Sequence, residues 1–385
     1  MSIFPSQAEV DDLSITLKRP QQGGQQTISG WQEVQLTRSL RSFPSTFDLS
    51  FTESYPHAKS DISVQPGDEV SIKIGQDVVL TGYVDRYVAQ IGSETHNIRI
   101  QGRSKCEDLF DCSTDVPMLE AGTTPLKYAQ QLSKPFNITV SQLGKGNGKV
   151  YPGLSGNRTE SPYRLIETVA RYSALLVYDD VDGNLVLADV NVSKMKSGFY
   201  QGKNVQNASV TFSMDQRFSD YQEVITPIGI ALAETGNRGG GGDLNTVGKA
   251  KDKGVPRHRI LISVCPPLLL DGKIGDEMAA WEMNRRWGQS NAVTLTCDSW
   301  RETPQGDSSG KLWQPNFSAP VVIPALKIPE NDNREWVIAD VVFKRSLQSG
   351  TTAQITLMPA AAFSVEPVTP IDLWIQEALS RANTK

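Results

Sequence analysis

At 385 residues with 38% hydrophobic side chains, 31 Gly and 22 Pro, the chain is too long for one compact domain, apolar enough to bury cores and rich in turn formers, so roughly two to four domains with many short strands are expected. Disorder and a coiled coil are excluded as descriptions of the whole. The 38 Lys and Arg against 43 Asp and Glu leave a net charge of −5, which gives the surface no general field for nucleic acid or an anionic membrane.

The opening residues, from Met1 to Asp12, carry neither a basic stretch nor an apolar core of a signal peptide, and no run of about 18 apolar residues follows. The chain is therefore expected to be made and folded in the cytosol, with no stable membrane association. From Asp12 to Ile100 it reads as a half-buried antiparallel sheet. Trp31–Thr37, Thr46–Thr52, Glu69–Ile74 and His96–Ile100 alternate apolar and polar residues, with turns at Pro66-Gly67-Asp68 and Gly92-Ser93. Thr124-Pro125 predicts a short helix through Gln131. Ser161-Pro162 predicts another, with Leu165, Ile166, Val169 and Ala170 on one face. Ala174–Tyr178 and Leu185–Asp189, joined by a turn at Val181–Asn184, read as a hairpin, so this second segment is α+β.

A third β region opens with Val210–Met214 and Tyr221–Ile230. The glycine-rich stretch Glu234–Asn245 interrupts it and reads as a mobile loop. Strand Arg259–Val264, a helix from Gly275 to Trp287 and strand Ala292–Cys297 then form an inserted α/β unit. Strands return at Arg334–Phe343 and Ala353–Met358, and Ile371–Ala382 reads as a terminal helix.

Signals of chemistry are sparse. Cys106, Cys112, Cys265 and Cys297 show neither paired nor metal-ligand spacing, so no disulfide framework is expected. His57, His96 and His258 lack any zinc-site spacing. Gly242–Ala250 imitates a phosphate loop but has one residue too many between its glycines and Ala250 where a magnesium-binding hydroxyl belongs. Asp111 and Asp115, or Glu120 beyond them, could serve as an acid/base pair for hydrolysis, but among 43 acidic residues they read as solvated carboxylates. No catalytic, cofactor-binding or metal-ligating residue is assigned. One charge feature stands out: Lys249, Lys251, Lys253, Arg257 and Arg259 cluster with only Asp252 opposing them. A solvated loop accounts for the run; as an arm it would meet an acidic partner or a phosphate backbone.

An internal echo sets Val79–Val84, Gly92 and Ile98–Ile100 beside Val337–Val342, Gly350 and Ile355–Leu357, with Val34 and Arg41 beside Val210 and Arg217. The last strand slips by one residue, which calls for a bulge or longer turn near Gly350–Thr352. Any two β-hairpins look alike, so the echo is either chance or the trace of two related β-domains.

The order of parts carries more than any motif. Trp31–Leu40, Pro66–Val70, the hairpin Leu80–Asp85, Gly102–Leu109, the Ser161-Pro162 helix and Leu175–Asp180 together resemble the baseplate hub protein of Mu-like contractile-tailed bacteriophages, a relative of the late control protein D type. The likeness covers nearly the whole chain, including Arg217–Tyr221 and Trp336–Phe343. It implies a mainly β fold with α+β parts: two related small β-barrels plus two α/β-type domains, assembled as a ring-shaped homotrimer. The divisions expected are an N-terminal β-barrel over residues 1–103 and an α+β domain over 104–203. A second barrel is split between 204–233 and 318–368, a flexible loop with an inserted α/β domain covers 234–317, and a C-terminal helix covers 369–385. The resemblance further implies a non-enzymatic virion protein of the tail baseplate that joins a six-fold tail tube to a three-fold central spike, contacts other baseplate proteins and lets DNA pass through its channel. The rival reading is a tail protein that binds cell-envelope glycans or degrades peptidoglycan, which seven Trp permit.

Overall fold

The computed structural model describes residues 11–19, 25–28, 31–51, 64–92, 96–113, 122–146, 159–225, 248–265, 272–304, 307–330, 332 and 334–365. The expected glycine-rich loop, the C-terminal helix, His57, Asp115 and Glu120 lie outside these residues.

Seven strands come first: β1 (Leu13–Lys18), β2 (Gln25–Ile28), β3 (Glu33–Ser39), β4 (Thr46–Phe51), β5 (Glu69–Ile74), β6 (Asp77–Ile91) and β7 (His96–Ser104). Alternation dictates their faces. Leu13, Ile15 and Leu17 of β1 and Val70, Ile72 and Ile74 of β5 all point inward and are buried. Gly67 takes a φ of 90° in the turn before β5, a conformation that disfavours a side chain.

The next part packs α1 (Glu107–Asp111), α2 (Pro125–Ser133) and α3 (Pro162–Tyr172) with β8 (Val140–Leu143), β9 (Leu176–Asp179) and β10 (Leu185–Ala188). The Thr124 side chain accepts a hydrogen bond from the Lys127 N–H and so caps α2. Ser161 makes no such bond, and α3 begins on Pro162 alone. β10 lies between β8, parallel, and β9, antiparallel. Tyr128, Leu132, Leu165, Ile166, Val169 and Leu187 fill a core separate from that of the large sheet.

The remaining elements are β11 (Ser193–Lys194), β12 (Phe199–Tyr200), β13 (Val205–Phe212), β14 (Asp220–Ile225), β15 (Gly248–Lys251), β16 (Ile260–Cys265), α4 (Gly272–Gln289), β17 (Asn291–Cys297), β18 (Phe317–Ser318), β19 (Val321–Val322), β20 (Trp336–Ser346) and β21 (Gly350–Pro359). The inserted unit differs from the expected one: it is the sheet β15-β14-β16 with α4 against it, whereas Ala292–Cys297 of β17 pairs with β13 and β21 instead. β13, β17, β20 and β21 join the N-terminal strands in one large sheet, ordered β13-β17-β21-β20-β3-β4-β7-β6-β5-β1-β2, with β18 attached to β20 and β11 to β18, while β12 and β19 pair with each other apart from it. The two β regions thus share a single sheet and a contiguous core that runs from Ile15 and Ile72 to Trp300, Phe343 and Ile355.

Within that sheet a four-strand order occurs twice. β3-β4-β7-β6 and β13-β17-β21-β20 have the same sequence of neighbours, every pairing is antiparallel, and each places its last two strands in exchanged order. Each also carries a bulge on the last-named of its four strands against the third, at Asp85 between Val84 and Arg86, and at Ala339 between Ile338 and Asp340. Counting outward from the bulges along the paired registers sets Phe47 with Val293, Leu49 with Leu295 and Ile100 with Ile355. All six are buried. These registers correct the alignment expected from the echo. Ile98 matches Ala353 instead of Ile355, Val84 matches Ile338 instead of Val342, and the irregularity sits at Ala339 instead of Gly350–Thr352.

The two units meet where β20 pairs with β3, from Asp340 opposite Ser39 to Ser346 opposite Glu33. The Ser39 hydroxyl donates to Asp340 at 2.6 Å, and Arg41 pairs with the same carboxylate.

Candidate functional site

The basic run does not converge on one point. Lys249 and Lys251 stand exposed two residues apart on β15, and Lys253 and Arg257 are exposed beyond it. Lys251 lies 3.6 Å from Asp220, whose carboxylate is held below its usual range by the Ser219 hydroxyl and then by Lys251 and His258. Arg259 is committed inward: it donates to the carbonyls of Met214 and Asp215 and stacks 4.9 Å from the Phe218 ring centroid. Asp252, the lone acid of the run, is taken by Arg217 at 2.8 Å. Lys249, Lys251, Lys253 and Arg257 therefore remain as an exposed cationic strip on the inserted unit.

A second charged cluster was not marked by the sequence. Arg103 at the end of β7 reaches Asp85 in the β6 bulge at 2.8 Å, Asp111 at 2.7 Å and Glu107 at 3.1 Å. The Glu107 contact is a close ion pair without an aligned hydrogen bond to Oε2. Burial, and then the neighbouring Asp85 charge, push the Glu107 carboxyl up to about 8 against the opposing pull of Arg103. An acid that binds its proton more tightly folded than unfolded makes stability fall as pH rises from about 4.5 to about 8. With allowance for solvent screening, Glu107→Gln is expected to gain about 1–2 kcal/mol near pH 9 and nothing near pH 4. Thermal melts at the two pH values check it; an equal shift at both would remove Glu107 as the cause. Asp111 is thus an ion-pair partner of Arg103 rather than half of an acid/base pair. No cluster of three or more metal-ligating side chains occurs among the described residues.

Large apolar side chains are exposed along strand edges and near them: Val88 and Ile91 on β6, Phe212 on β13 with Met214 just beyond, and Ile260 and Ile262 on β16. Among the described residues tryptophan contributes nothing of this kind. Trp300, Trp313 and Trp336 are buried in the core, and Trp31, Trp281 and Trp287 are partly covered. None of these offers an open platform for a sugar ring.

The described residues thus present a long antiparallel sheet with a repeated strand order and large apolar side chains exposed on β6 and β13. Residues 21–104 match the N-terminal domain of the Mu phage baseplate assembly protein GpP-like family. Residues 106–189 match the second domain of the baseplate hub protein gp44-like family. Over 345 residues the chain is 26% identical to the baseplate hub protein gp44 of Escherichia phage Mu, covering 88% of this chain and 86% of that one. Among solved structures, the 43 kDa tail protein of prophage MuSo2 from Shewanella oneidensis superposes with a TM-score of 0.77 at 27% identity, covering 93% of this chain and all of that one. The E. coli c3393 protein, a type VI secretion component described as similar to the T4 tail proteins gp27 and gp5, shares the fold at 9% identity, with a TM-score of 0.53 over 90% of this chain and 76% of that one. Residues 21–189 thus match two successive domains of the Mu-type baseplate families, and over most of its length the chain is similar to a baseplate hub protein and a tail protein of Mu-like phages.

Proposed function

We propose that three copies of this chain form a ring at the centre of the baseplate, which joins a six-fold tail tube to a three-fold central spike and leaves a channel for DNA. The observation that carries the reading is the strand order that occurs twice in one sheet. A six-fold tube end needs six similar surfaces, and a trimer supplies six only if each chain folds the same surface twice. The work of such a hub is geometric rather than catalytic. A net charge of −5 fits a wall that does not grip passing DNA. The strip Lys249, Lys251, Lys253 and Arg257 is assigned to contact with an acidic face of a neighbouring baseplate protein.

The test is absolute mass. Light scattering on the purified chain is expected to give three times 42.2 kDa at micromolar concentration. A stable monomer or dimer would remove the symmetry-matching role. Clearing of a peptidoglycan suspension, or binding to sacculi, would favour the envelope-directed reading instead.

A further inference from the structure

Among the described residues three arginines are buried, Arg38, Arg217 and Arg301. Arg217 is paired with Asp252 and Arg301 with Asp11. Arg38 has no such carboxylate: its Nη2 donates to the Asp179 carbonyl at 3.4 Å, long for a hydrogen bond, and its buried Nε has no partner. Strand alternation puts it there. Val34, Leu36 and Arg38 share the inward face of β3; the first two enter the core, and Arg38, 7% exposed, reaches from the end of the strand to β9. A buried guanidinium is costly until a counter-charge meets it.

The acids near Arg38 are engaged elsewhere. The Asp179 carboxylate accepts from the Ser45 N–H and from the Ser45 hydroxyl at 3.0 Å. Asp180 accepts the N–H groups of Asp182 and Asn184 at 2.9 and 2.8 Å, and Asp189 those of Lys145 and Gly146 at 3.0 and 2.8 Å. Burial lowers the Arg38 pKa from the ordinary guanidinium value, against the upward pull of Asp179, Tyr178 and Asp180.

Arg38 lies on the wall of a cavity of about 700 Å³ where the sheet β8-β10-β9 meets β11 and β18. Leu143, Val186, Val190, Val192, Pro315 and Phe317 give it apolar walls. Asn191 stands on the same wall; its Nδ2 donates to Glu335 at 2.6 Å, while its buried Oδ1 has no partner. Apolar walls with a few polar groups, at this volume, are the usual make-up of a ligand site.

The geometry points to a binding site for a carboxylate carried on an apolar body, with the carboxylate on Arg38 and the body against the valines. This goes beyond the hub reading and holds for the single chain. A guanidinium matches a carboxylate in shape and charge, and the apolar walls reject a smaller, fully hydrated anion. Two sources share this chemistry, a free apolar acid and the carboxy-terminus of a peptide. A terminus adds an N–H beside the carboxylate, which the unpartnered Asn191 Oδ1 can accept.

Calorimetric titration of the full chain tests the site. Isocaproate is expected to bind, and the neutral isocaproamide at least about tenfold more weakly, the loss of one charged hydrogen-bonded contact. Arg38→Met is expected to weaken isocaproate by a similar factor while melting no lower than the wild type, because it removes a buried charge without a counter-ion. Val192→Trp keeps Arg38, fills the cavity and is expected to block binding with the circular dichroism unchanged. N-acetyl-leucine adds the amide N–H to the same body. Tighter binding than isocaproate assigns the site to a chain terminus, weaker binding to a free acid, and either supports it. Acid and amide binding alike, or neither acid binding at millimolar concentration, overturns the site. So does Arg38→Met that melts well below the wild type, since Arg38 would then be a structural tie to β9, or Val192→Trp that folds and binds as the wild type does.

Discussion

Replacing Arg301 with alanine is expected to destabilise the fold by about 3–5 kcal/mol, because it strips a buried carboxylate and two buried carbonyls of their donor at once. The Arg301 guanidinium is 2% exposed. Its Nε donates to Asp11 at 3.0 Å, and its terminal nitrogens donate to Asp77 and to the carbonyls of Gly310 and Ile74, each of these two at 3.1 Å. The residue sits just after β17 in the second repeat, and three of its partners lie at the edge of the first. Losing it takes from the buried Asp11 carboxylate the Nε donor at 3.0 Å and loosens the contact between the repeats. Arg301→Lys keeps the charge but cannot reproduce a planar fork with several donors, so roughly half of the loss is expected. Urea unfolding monitored by tryptophan fluorescence checks both. A cost under about 1 kcal/mol for the alanine variant would show that the cluster's desolvation cancels its bonds.

Gly102→Ala is expected to cost about 2–3 kcal/mol through overpacking at the crossing of β6 and β7. A Cβ at Gly102 would lie 2.0 Å from the Tyr83 carbonyl oxygen and 2.5 Å from the Phe47 ring, and one at Gly82 would lie 1.8 Å from the Arg103 carbonyl oxygen. Backbone is the obstacle in both cases, so no rotamer change relieves it. Gly202, with a φ of 76° and nothing near its missing side chain, is the control. Its alanine variant carries only the conformational penalty, about 1 kcal/mol. If the two alanine variants melt together, close packing beside the Asp85 bulge is not what requires glycine at Gly102.

Some of the molecule was legible because its signals are local. The α2 cap at Thr124, the proline start of α3 and the buried face of Leu165, Ile166, Val169 and Ala170 each depend on neighbours within a turn or two. The charged sites were not. Lys249 to Arg259 read as one basic run, yet Arg259 folds back on Met214 and Asp215 while Lys253 and Arg257 face outward. Glu107 carries no signal in the sequence, because Asp85 and Arg103 come beside it from two strands only in the fold.

By itself the sequence determined the mainly β class, the strand faces and, through the order of its parts, the hub family. Only the tertiary structure decided how the strands are set against one another. Side chains on a strand repeat every two residues, so sliding one strand by two or four leaves every face unchanged. That is why the echo at Ile98 and Ile355 looked right while its register was two residues off, and why the pairings and the bulges at Asp85 and Ala339 were needed to set it. The Arg301 clamp joins residues 290 positions apart to Asp11, and open edges on β6 and β13 exist only once every other strand has found its partner. Both are properties of the assembled sheet, which no local pattern encodes.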